Sequence, residues 1–210
     1  MKPRPIFHLD AEPGLRGGER QLLYLAAARR ARGRRNVIFV RAGDALESEA
    51  RLQGFETASA SAFGLTRRAR SEGAIIHAHT GHAAATAAMA SWAGVPVVSH
   101  RRVDFPVSGL SARFKYGAVG KVICVSKAIS DIMKAAGTPE LKLAVIPDGL
   151  PATEEECKWA AVAPDRFSPP SSDERARCRK SLIDEFNILP DSILIGNLAA
   201  LVPHKDHDTL

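Results

Sequence analysis

The sequence predicts an α/β fold, a doubly wound, mostly parallel sheet followed by a truncated second domain. Strand-like and helix-like segments alternate between residues 5 and 146. Strands such as 74–76 and 95–98 are apolar without interruption, which is typical of parallel strands that helices cover on both faces. Glycines follow the apolar stretches of four predicted helices, at the positions of left-handed C-caps. The apolar patterns and the positions of the glycines therefore both indicate the doubly wound α/β fold.

Seven strands and five helices can be assigned before residue 150. Short apolar runs predict strands at 5–9, 36–40, 56–58, 74–78, 95–99, 122–125 and 144–146. Apolar residues at helical spacing predict helices at 19–32, 44–53, 82–93, 111–118 and 126–136. The third strand and the segment after it have the weakest pattern. The predicted C-caps are Gly33, Gly54, Gly94 and Gly137.

The composition changes after residue 150. Residues 151–191 contain an acidic run at 153–156 and several prolines and serines, and they are predicted to be a linker with a polar helix at 173–186. Residues 192–198 have the pattern of a new buried strand, and a loop follows to residue 210. Because one strand cannot form a core, we expect residues 1–150 to be one domain and 192–210 the start of an incomplete second domain.

Composition excludes several classes of protein. The chain has 210 residues, of which 45% are hydrophobic and 25% charged, so it is expected to be globular. It contains no apolar run of about 20 residues and no signal-peptide pattern, so a cytoplasmic location is expected. The three cysteines, Cys124, Cys157 and Cys178, have no CxxC spacing, which argues against a disulfide framework and a zinc site. Cys124 is predicted to lie in a strand core.

The net charge of +6 is concentrated in arginines. A solvated helix C-terminus explains such a run, because cations are favourable there. Attraction to an anionic membrane surface is the alternative, at about 1 kcal/mol per basic residue. Nucleic acid is not expected, because aromatic residues are few and no recognition motif accompanies the charge. The residues concerned are Arg29, Arg30, Arg32, Arg34 and Arg35, with Arg67, Arg68 and Arg70 further along.

A glycine-rich turn at 14–21 joins the first strand to the first helix. Gly17 and Gly18 carry no Cβ, so the backbone can take φ > 0 there and come close to a ligand. The free N–H groups of the helix's first turn favour an anion, usually phosphate. Helix capping and tight packing explain the glycines equally well.

Polar residues follow four different strands of the predicted sheet. Ligands of open parallel sheets bind beyond the carboxyl ends of the strands, so these residues are expected to share one edge. His79 and His82 are predicted to hydrogen-bond a substrate or to be structural, and His77 to lie in the interior. A metal site is not expected, since no carboxylate or thiolate completes a first shell with a familiar spacing. The clusters are the glycine turn, 77–82, 100–104 and 126–127.

Residues 100–104 place an imidazole, two guanidinium groups and a carboxylate within five positions. His100, Arg101, Arg102 and Asp104 suit an anionic or polyhydroxylated ligand, or else form a solvated charged loop. Ser126 precedes a helix and is expected to be its N-cap, a position that can also face a ligand.

Three common enzyme patterns are missing from the sequence. The glycines at 14, 17 and 18 do not follow GxGxxG, and the second strand does not end in a ribose-binding acid. The sequence contains neither a Walker motif nor GxSxG, which argues against an ATPase and a hydrolase.

Six motifs in order resemble glycosyltransferases of family 4, which have the GT-B architecture. They are 17–20, the His-Ala-His at 77–79, 94–98, 122–127, 145–150 and 195–210. The resemblance covers nearly the whole chain. It implies two Rossmann-like domains that face a cleft, the first holding mainly the acceptor and the second the nucleotide-sugar donor. It also implies sugar transfer with retention of configuration, usually without a metal.

The resemblance assigns roles to individual positions. Gly17 and Gly18 would approach the donor phosphates or the transferred sugar, with Arg20 in the same motif. The family's functional histidine, six residues after the proline of 94–98, corresponds to Arg102, while a histidine stands at His100. These two are the predicted catalytic residues, and which of them faces the sugar stays open.

The second domain departs from the family pattern. Lys205 matches a phosphate-binding lysine, whereas Ala200 replaces the family's arginine. Asp148 replaces the usual asparagine of a Pro-Asn-Gly turn, and the acidic pair that holds the donor is expected beyond Leu210.

The expected function is therefore hexosyl transfer from a nucleotide sugar to a saccharide or lipid-linked acceptor of the cell envelope. The enzyme would be cytoplasmic or peripheral on the inner membrane face and need no cofactor, and residues 1–210 alone are expected to be inactive. The alternative is a non-catalytic nucleotide- or saccharide-binding module of the same fold.

Overall fold

The computed structural model describes residues 3–196, and its centre is a seven-stranded sheet. All neighbouring strands pair in parallel, in the order β3-β2-β1-β4-β5-β6-β7. The predicted doubly wound α/β fold is confirmed. The strands are β1 (Ile6–Leu9), β2 (Asn36–Val40), β3 (Glu56–Ser59), β4 (Ile75–Ala78), β5 (Val97–Arg101), β6 (Lys121–Cys124) and β7 (Leu143–Val145).

Helices connect the strands and cover both faces of the sheet. They are α1 (Gly17–Ala31), α2 (Ala45–Leu52), α3 (Ala62–Glu72), α4 (Gly81–Trp92), α5 (Gly109–Ser111), α6 (Lys127–Ala135), α7 (Glu154–Ala160) and α8 (Ser172–Phe186). Within residues 3–196, none of these helices is both long enough and apolar enough to cross a bilayer.

The two faces of the sheet carry separate cores, because successive side chains of a strand point to opposite sides. Phe7 and Leu9 belong to the larger core, which α3 and α4 cover on what we call the α4 face. Ile38 and Val40 pack with α1 and α2 on the opposite α1 face. The buried Cys124 lies in the larger core, as predicted.

The predicted glycine caps are confirmed, and the glycine-rich turn joins β1 to α1 as predicted. The φ values are 67° at Gly33, 75° at Gly54, 83° at Gly94 and 94° at Gly137. In the turn, the positive φ of 103° falls at Gly14. Gly17 and Gly18 begin α1 and do not use the positive φ that glycine permits.

Two helices lie where the apolar pattern of the sequence predicted none. Helix α3 follows the weak third strand, and the Ser61 side chain caps it by accepting the Gly64 N–H. Helix α7 lies within the stretch predicted to be a linker. Its capping box joins Thr153 and Glu156, and the helix packs against α1. The helix predicted at 111–118 is replaced by α5 and a π-helical turn, Ala112–Tyr116.

The chain divides into two compact units, the first of which ends at Phe167. Residues 151–167 thus belong with the sheet. In the second unit, α8 confirms the predicted polar helix, and Arg179 donates to the carbonyl oxygens of Pro190 and Ser192 at 2.7 and 2.6 Å. Residues 192–196, the described part of the strand predicted there, form no strand, and the rest of that prediction lies outside the described residues.

Candidate active site

Polar side chains converge beyond the carboxyl ends of β1, β4 and β5, where the strand order reverses. Asp10, His79 and Arg102 each follow the last residue of one of these strands. Asp148 joins them from the segment after β7. This is the edge at which open parallel sheets bind ligands, so the predicted convergence is present for His79, His100 and Arg102.

Arg102 is the centre of this cluster. Its Nε donates to both carboxylate oxygens of Asp148, at 2.8 and 3.2 Å. Its two terminal nitrogens face Nδ1 of His79 at 3.4 Å and Nδ1 of His100 at 3.2 Å. The Arg102 side chain is 13% exposed and that of Asp148 is 27% exposed, so both remain within reach of a ligand. A bound anion would compete with Asp148 for the guanidinium group.

Four histidine rings pack together on the α1 face, beneath the carboxyl-end edge of the sheet. They belong to His8, His77, His79 and His100. The rings of His77 and His100 are stacked, with centroids 5.5 Å apart, and the His79 ring lies 4.1 Å from that of His77. Burial lowers the pKa of His8 to about 4, although the hydrogen bond that His8 donates to Oδ1 of Asn36 opposes this shift. Burial, followed by the Arg102 charge, lowers the pKa of His100 to about 4.

The other two histidines are shifted in the same direction. Burial is the main cause that holds the pKa values of His77 and His79 well below 6.5, and the neighbouring imidazoles and Arg102 add to it. All four rings are therefore neutral at pH 7, and each has one nitrogen that donates and one that accepts. The prediction that His77 lies in the interior is confirmed.

Asp10 is a buried carboxyl group that the sequence reading missed. Its Oδ1 accepts the Glu12 N–H at 3.0 Å, while Oδ2 has no hydrogen-bond partner among the described residues. Burial raises the pKa of Asp10 to about 7, with Glu19 and Glu12 adding to the rise and the Glu12 N–H and Arg102 opposing it. The carboxyl group thus titrates near neutral pH. Its position directly after β1 was the available signal.

The first turn of α1 lies beside Arg102. A Cβ built on Gly18 would be 3.9 Å from Cδ of Arg102, whereas one on Gly17 meets nothing within 4 Å among the described residues. The Glu19 carboxylate accepts the Arg16 N–H at 2.7 Å and closes this end of the helix. Of these two glycines, Gly18 is therefore the one at which a side chain would contact Arg102.

A cavity of about 460 Å³ extends from the cluster along the α1 face. Apolar side chains of β4, β5 and β6 form its floor, with Ile75, Val98 and Ile123 among them. Tyr24 and Trp159 form part of its walls. His77, His100, Arg102 and Asp148 line its polar part. A ligand with both apolar and hydrogen-bonding surface matches this lining.

Other predicted site residues lie apart from the cluster. Arg101 is buried, and it donates to Tyr116 Oη at 3.3 Å and to the Phe105 carbonyl oxygen at 2.6 Å. Ser126 caps α6 by accepting the Ile129 N–H at 3.3 Å, as expected. The His82 side chain is 83% exposed and pairs with Glu12. Arg20 and Asp104 are exposed, and Lys205 lies outside the described residues.

The protein family of this chain follows from its match to a family model. The model for Glycosyltransferase Family 4 matches residues 15–154, about two thirds of the sequence. The chain belongs to glycosyltransferase family 4. A search of curated proteins gave no match.

Solved structures share the fold of this family-4 chain at low sequence identity. Anabaena HepE in complex with UDP is 18% identical, with a TM-score of 0.72, and the match covers 97% of this chain and 55% of HepE. A glycosyltransferase from Rickettsia africae is 14% identical, with a TM-score of 0.64 and coverage of 90% and 51%. The lipopolysaccharide outer core galactosyltransferase WaaB is 11% identical, with a TM-score of 0.52 and coverage of 72% and 47%. This chain thus spans about half the length of the structures it matches.

Proposed function

We propose that this family-4 chain is the acceptor-side half of an enzyme that transfers a sugar from a nucleotide-sugar donor. The observation that carries the proposal is the cluster of Arg102, His100, His79 and Asp148 beside Gly18 at the switch point of the sheet. The HepE complexes with UDP and UDP-glucose support this class of donor. The acceptor is a saccharide or a lipid-linked saccharide of the cell envelope, and the hexosyl group is transferred with retention and without a metal.

Arg102 supplies positive charge where a nucleoside diphosphate departs. Preorganised charge of this kind stabilises the transition state more than the ground state, since negative charge develops on the leaving group. The N-terminus of α1 adds a partial positive charge beside it. Lys205 is proposed to add a further charge from the second half. Residues 1–210 alone are then expected to have little turnover, and transfer at the rate of the complete protein would contradict this division of roles.

Replacing Gly18 by valine in the complete protein is expected to reduce sugar transfer by at least tenfold. A Cβ at Gly18 would lie in van der Waals contact with Cδ of Arg102, at 3.9 Å, and the two Cγ atoms of valine extend beyond it, so we expect them to crowd the Arg102 side chain. Steady-state kinetics with the nucleotide sugar measure the loss.

Gly17→Val is the matched control, because a Cβ there meets nothing within 4 Å in the part of the chain that the structure describes. Both variants place a β-branched residue in the first turn of the same helix, so general helix effects are shared. Wild-type kinetics for Gly18→Val would leave the turn without a role in transfer. An equal loss in both variants would assign the effect to the helix and not to contact with Arg102.

We propose from the basic end of α1 that the protein lies at the cytoplasmic face of a membrane. Fewer of its arginines are available for lipid contact than the sequence indicates. Arg29 and Arg30 donate to Asn36 and to the Gln53 carbonyl oxygen, and Arg35 pairs with Glu56 and Glu72. Arg32, which donates to the Ala28 carbonyl oxygen at 3.0 Å, and Arg34 are the exposed members for which the structure shows no side-chain hydrogen bond or ion pair to another element among the described residues, and they remain for an anionic lipid surface.

Changing both Arg32 and Arg34 to glutamine is therefore expected to weaken binding to anionic vesicles about thirtyfold, at about 1 kcal/mol for each charge. Vesicle co-sedimentation at low and high salt measures the change. The control changes Arg175 and Arg177, two exposed arginines of α8, and removes the same net charge. An equal loss in both double variants would show that net charge alone is responsible.

A further inference from the structure

The hydrogen-bond directions of the histidine cluster are fixed at one end by Asn36. Its amide nitrogen donates to the carbonyl oxygens of Ala26 and Arg34, at 3.1 and 2.9 Å. Its Oδ1 therefore faces the other way and accepts from Nε of Arg29 at 2.9 Å. Nε2 of His8 lies 3.1 Å from the same oxygen. An amide oxygen only accepts, so Nε2 of His8 carries the proton.

The proton on Nε2 of His8 determines the next ring. A neutral His8 then has a lone pair on Nδ1, which lies 3.0 Å from Nε2 of His79. His79 must donate in that contact, so its proton is on Nε2 and its Nδ1 accepts.

The other end of the cluster gives the same result independently. A guanidinium group has five donors and no acceptor. Arg102 faces Nδ1 of His79 and Nδ1 of His100, so both nitrogens must accept. The assignment of His79 from Arg102 agrees with its assignment from Asn36, and His100 is left with its proton on Nε2.

We propose that Asn36 and His8 are positioning residues, which hold His79 and Arg102 so that His100 presents an Nε2–H donor to the ligand. Nε2 of His100 is buried, has no hydrogen-bond partner among the described residues and lies 3.7 Å from Oδ1 of Asp148. A ligand atom that meets Nε2 by displacing the Asp148 carboxylate must be an acceptor, such as a sugar hydroxyl oxygen or a phosphate oxygen. The identity of that ligand rests on the proposed function, whereas the tautomers of His8, His79 and His100 are assigned from hydrogen bonds within the chain.

The same geometry argues against a metal ion held by His8, His77 and His79, whose nitrogens lie within 4.8 Å of one another. A metal would need the lone pairs of His8 Nδ1 and His79 Nε2. The His79 proton would then move to Nδ1, where it would oppose an N–H of Arg102 at 3.4 Å. Two donors that face each other repel, so this cluster is better suited to hydrogen bonding.

Nitrogen NMR of the chain labelled with ¹⁵N-histidine at pH 7 tests the proposal. Wild-type His8, His79 and His100 are all expected as the Nε2–H tautomer. An Nδ1–H form of His100, or of His79, would overturn the assignment, and this readout needs no substrate and no variant.

The Asn36→Asp variant tests the coupling between distant members. A carboxylate beside His8 favours its doubly protonated form, so Nδ1 of His8 becomes a donor and His79 is expected to lose its Nε2–H form. His82, which is exposed and pairs with Glu12, is the internal control and should keep its signals. Unchanged His79 signals in a folded variant would contradict the positioning role. Because transfer activity is not the readout, loss of the proposed function would leave this result intact.

Discussion

Lowering the pH from 7 to 5 is expected to reduce the free energy of unfolding of this chain by several kcal/mol. The pKa of His8 is about 4 in the folded protein and 6.5 in an unfolded chain, and His100 has the same shift. Between these values the unfolded state binds more protons than the folded state, so stability is present above pH 6.5 and is lost as the pH falls towards 4. One such histidine contributes about 2 kcal/mol of this loss between pH 7 and pH 5.

Asp10 opposes the histidines over the same range. Its pKa is about 7 in the folded protein and 3.8 when unfolded, so the folded state binds more protons between these values. This contribution is fully present below pH 3.8 and is lost as the pH rises through 7. The contribution of Asp10 to the free energy of unfolding cancels that of about one histidine. The other three histidines therefore determine the sign of the net change in this free energy.

Urea denaturation at pH 7 and pH 5 measures the effect. Asp10→Asn removes the offset, so the loss between the two pH values is expected to grow by about 2 kcal/mol. His82→Gln is the control, because that side chain is exposed in the folded protein. A free energy of unfolding that is the same at pH 5 and pH 7 would mean that the four histidines are not neutral in the folded state.

Much of the fold could be predicted because local patterns and tertiary packing agree. The apolar runs at β2 and β4 read as buried parallel strands, and both helices and neighbouring strands cover them in the structure. Helix α7 was missed although Thr153 and Glu156 have capping-box spacing, because its acidic composition resembles a linker and its packing on α1 is not a local property.

The site could be predicted only in part, for a similar reason. The strand-end rule located His79 and Arg102, and the two-residue period of a strand could have separated Arg101 from His100 and Arg102, which point to the other face. Asp148 approaches Arg102 across 46 residues, and Asn36 reaches His8 across 28. No spacing rule covers contacts of that length, so these partners became visible only in the folded chain.

Replacing Arg102 by alanine in the complete protein is expected to reduce sugar transfer by a factor of about 100 to 1,000, the usual effect of removing one preorganised transition-state donor. The variant removes the charge proposed to stabilise the departing diphosphate. It also leaves Asp148, His79 Nδ1 and His100 Nδ1 without their donor. Arg102→Lys keeps the charge but carries its donors on a single nitrogen in place of the planar fork, so it is expected to recover only part of the rate.

Arg101→Gln is the matched control, since it removes the neighbouring guanidinium group, whose contacts are with Tyr116 and Phe105. It is expected to lower stability while changing transfer per folded molecule by less than tenfold. Separate measurement of kcat and KM distinguishes the two roles, because a group that acts on the transition state lowers kcat and kcat/KM together. If Arg102→Ala raised KM alone, Arg102 would contribute only to ground-state binding, and the leaving-group role would have to be assigned to another residue.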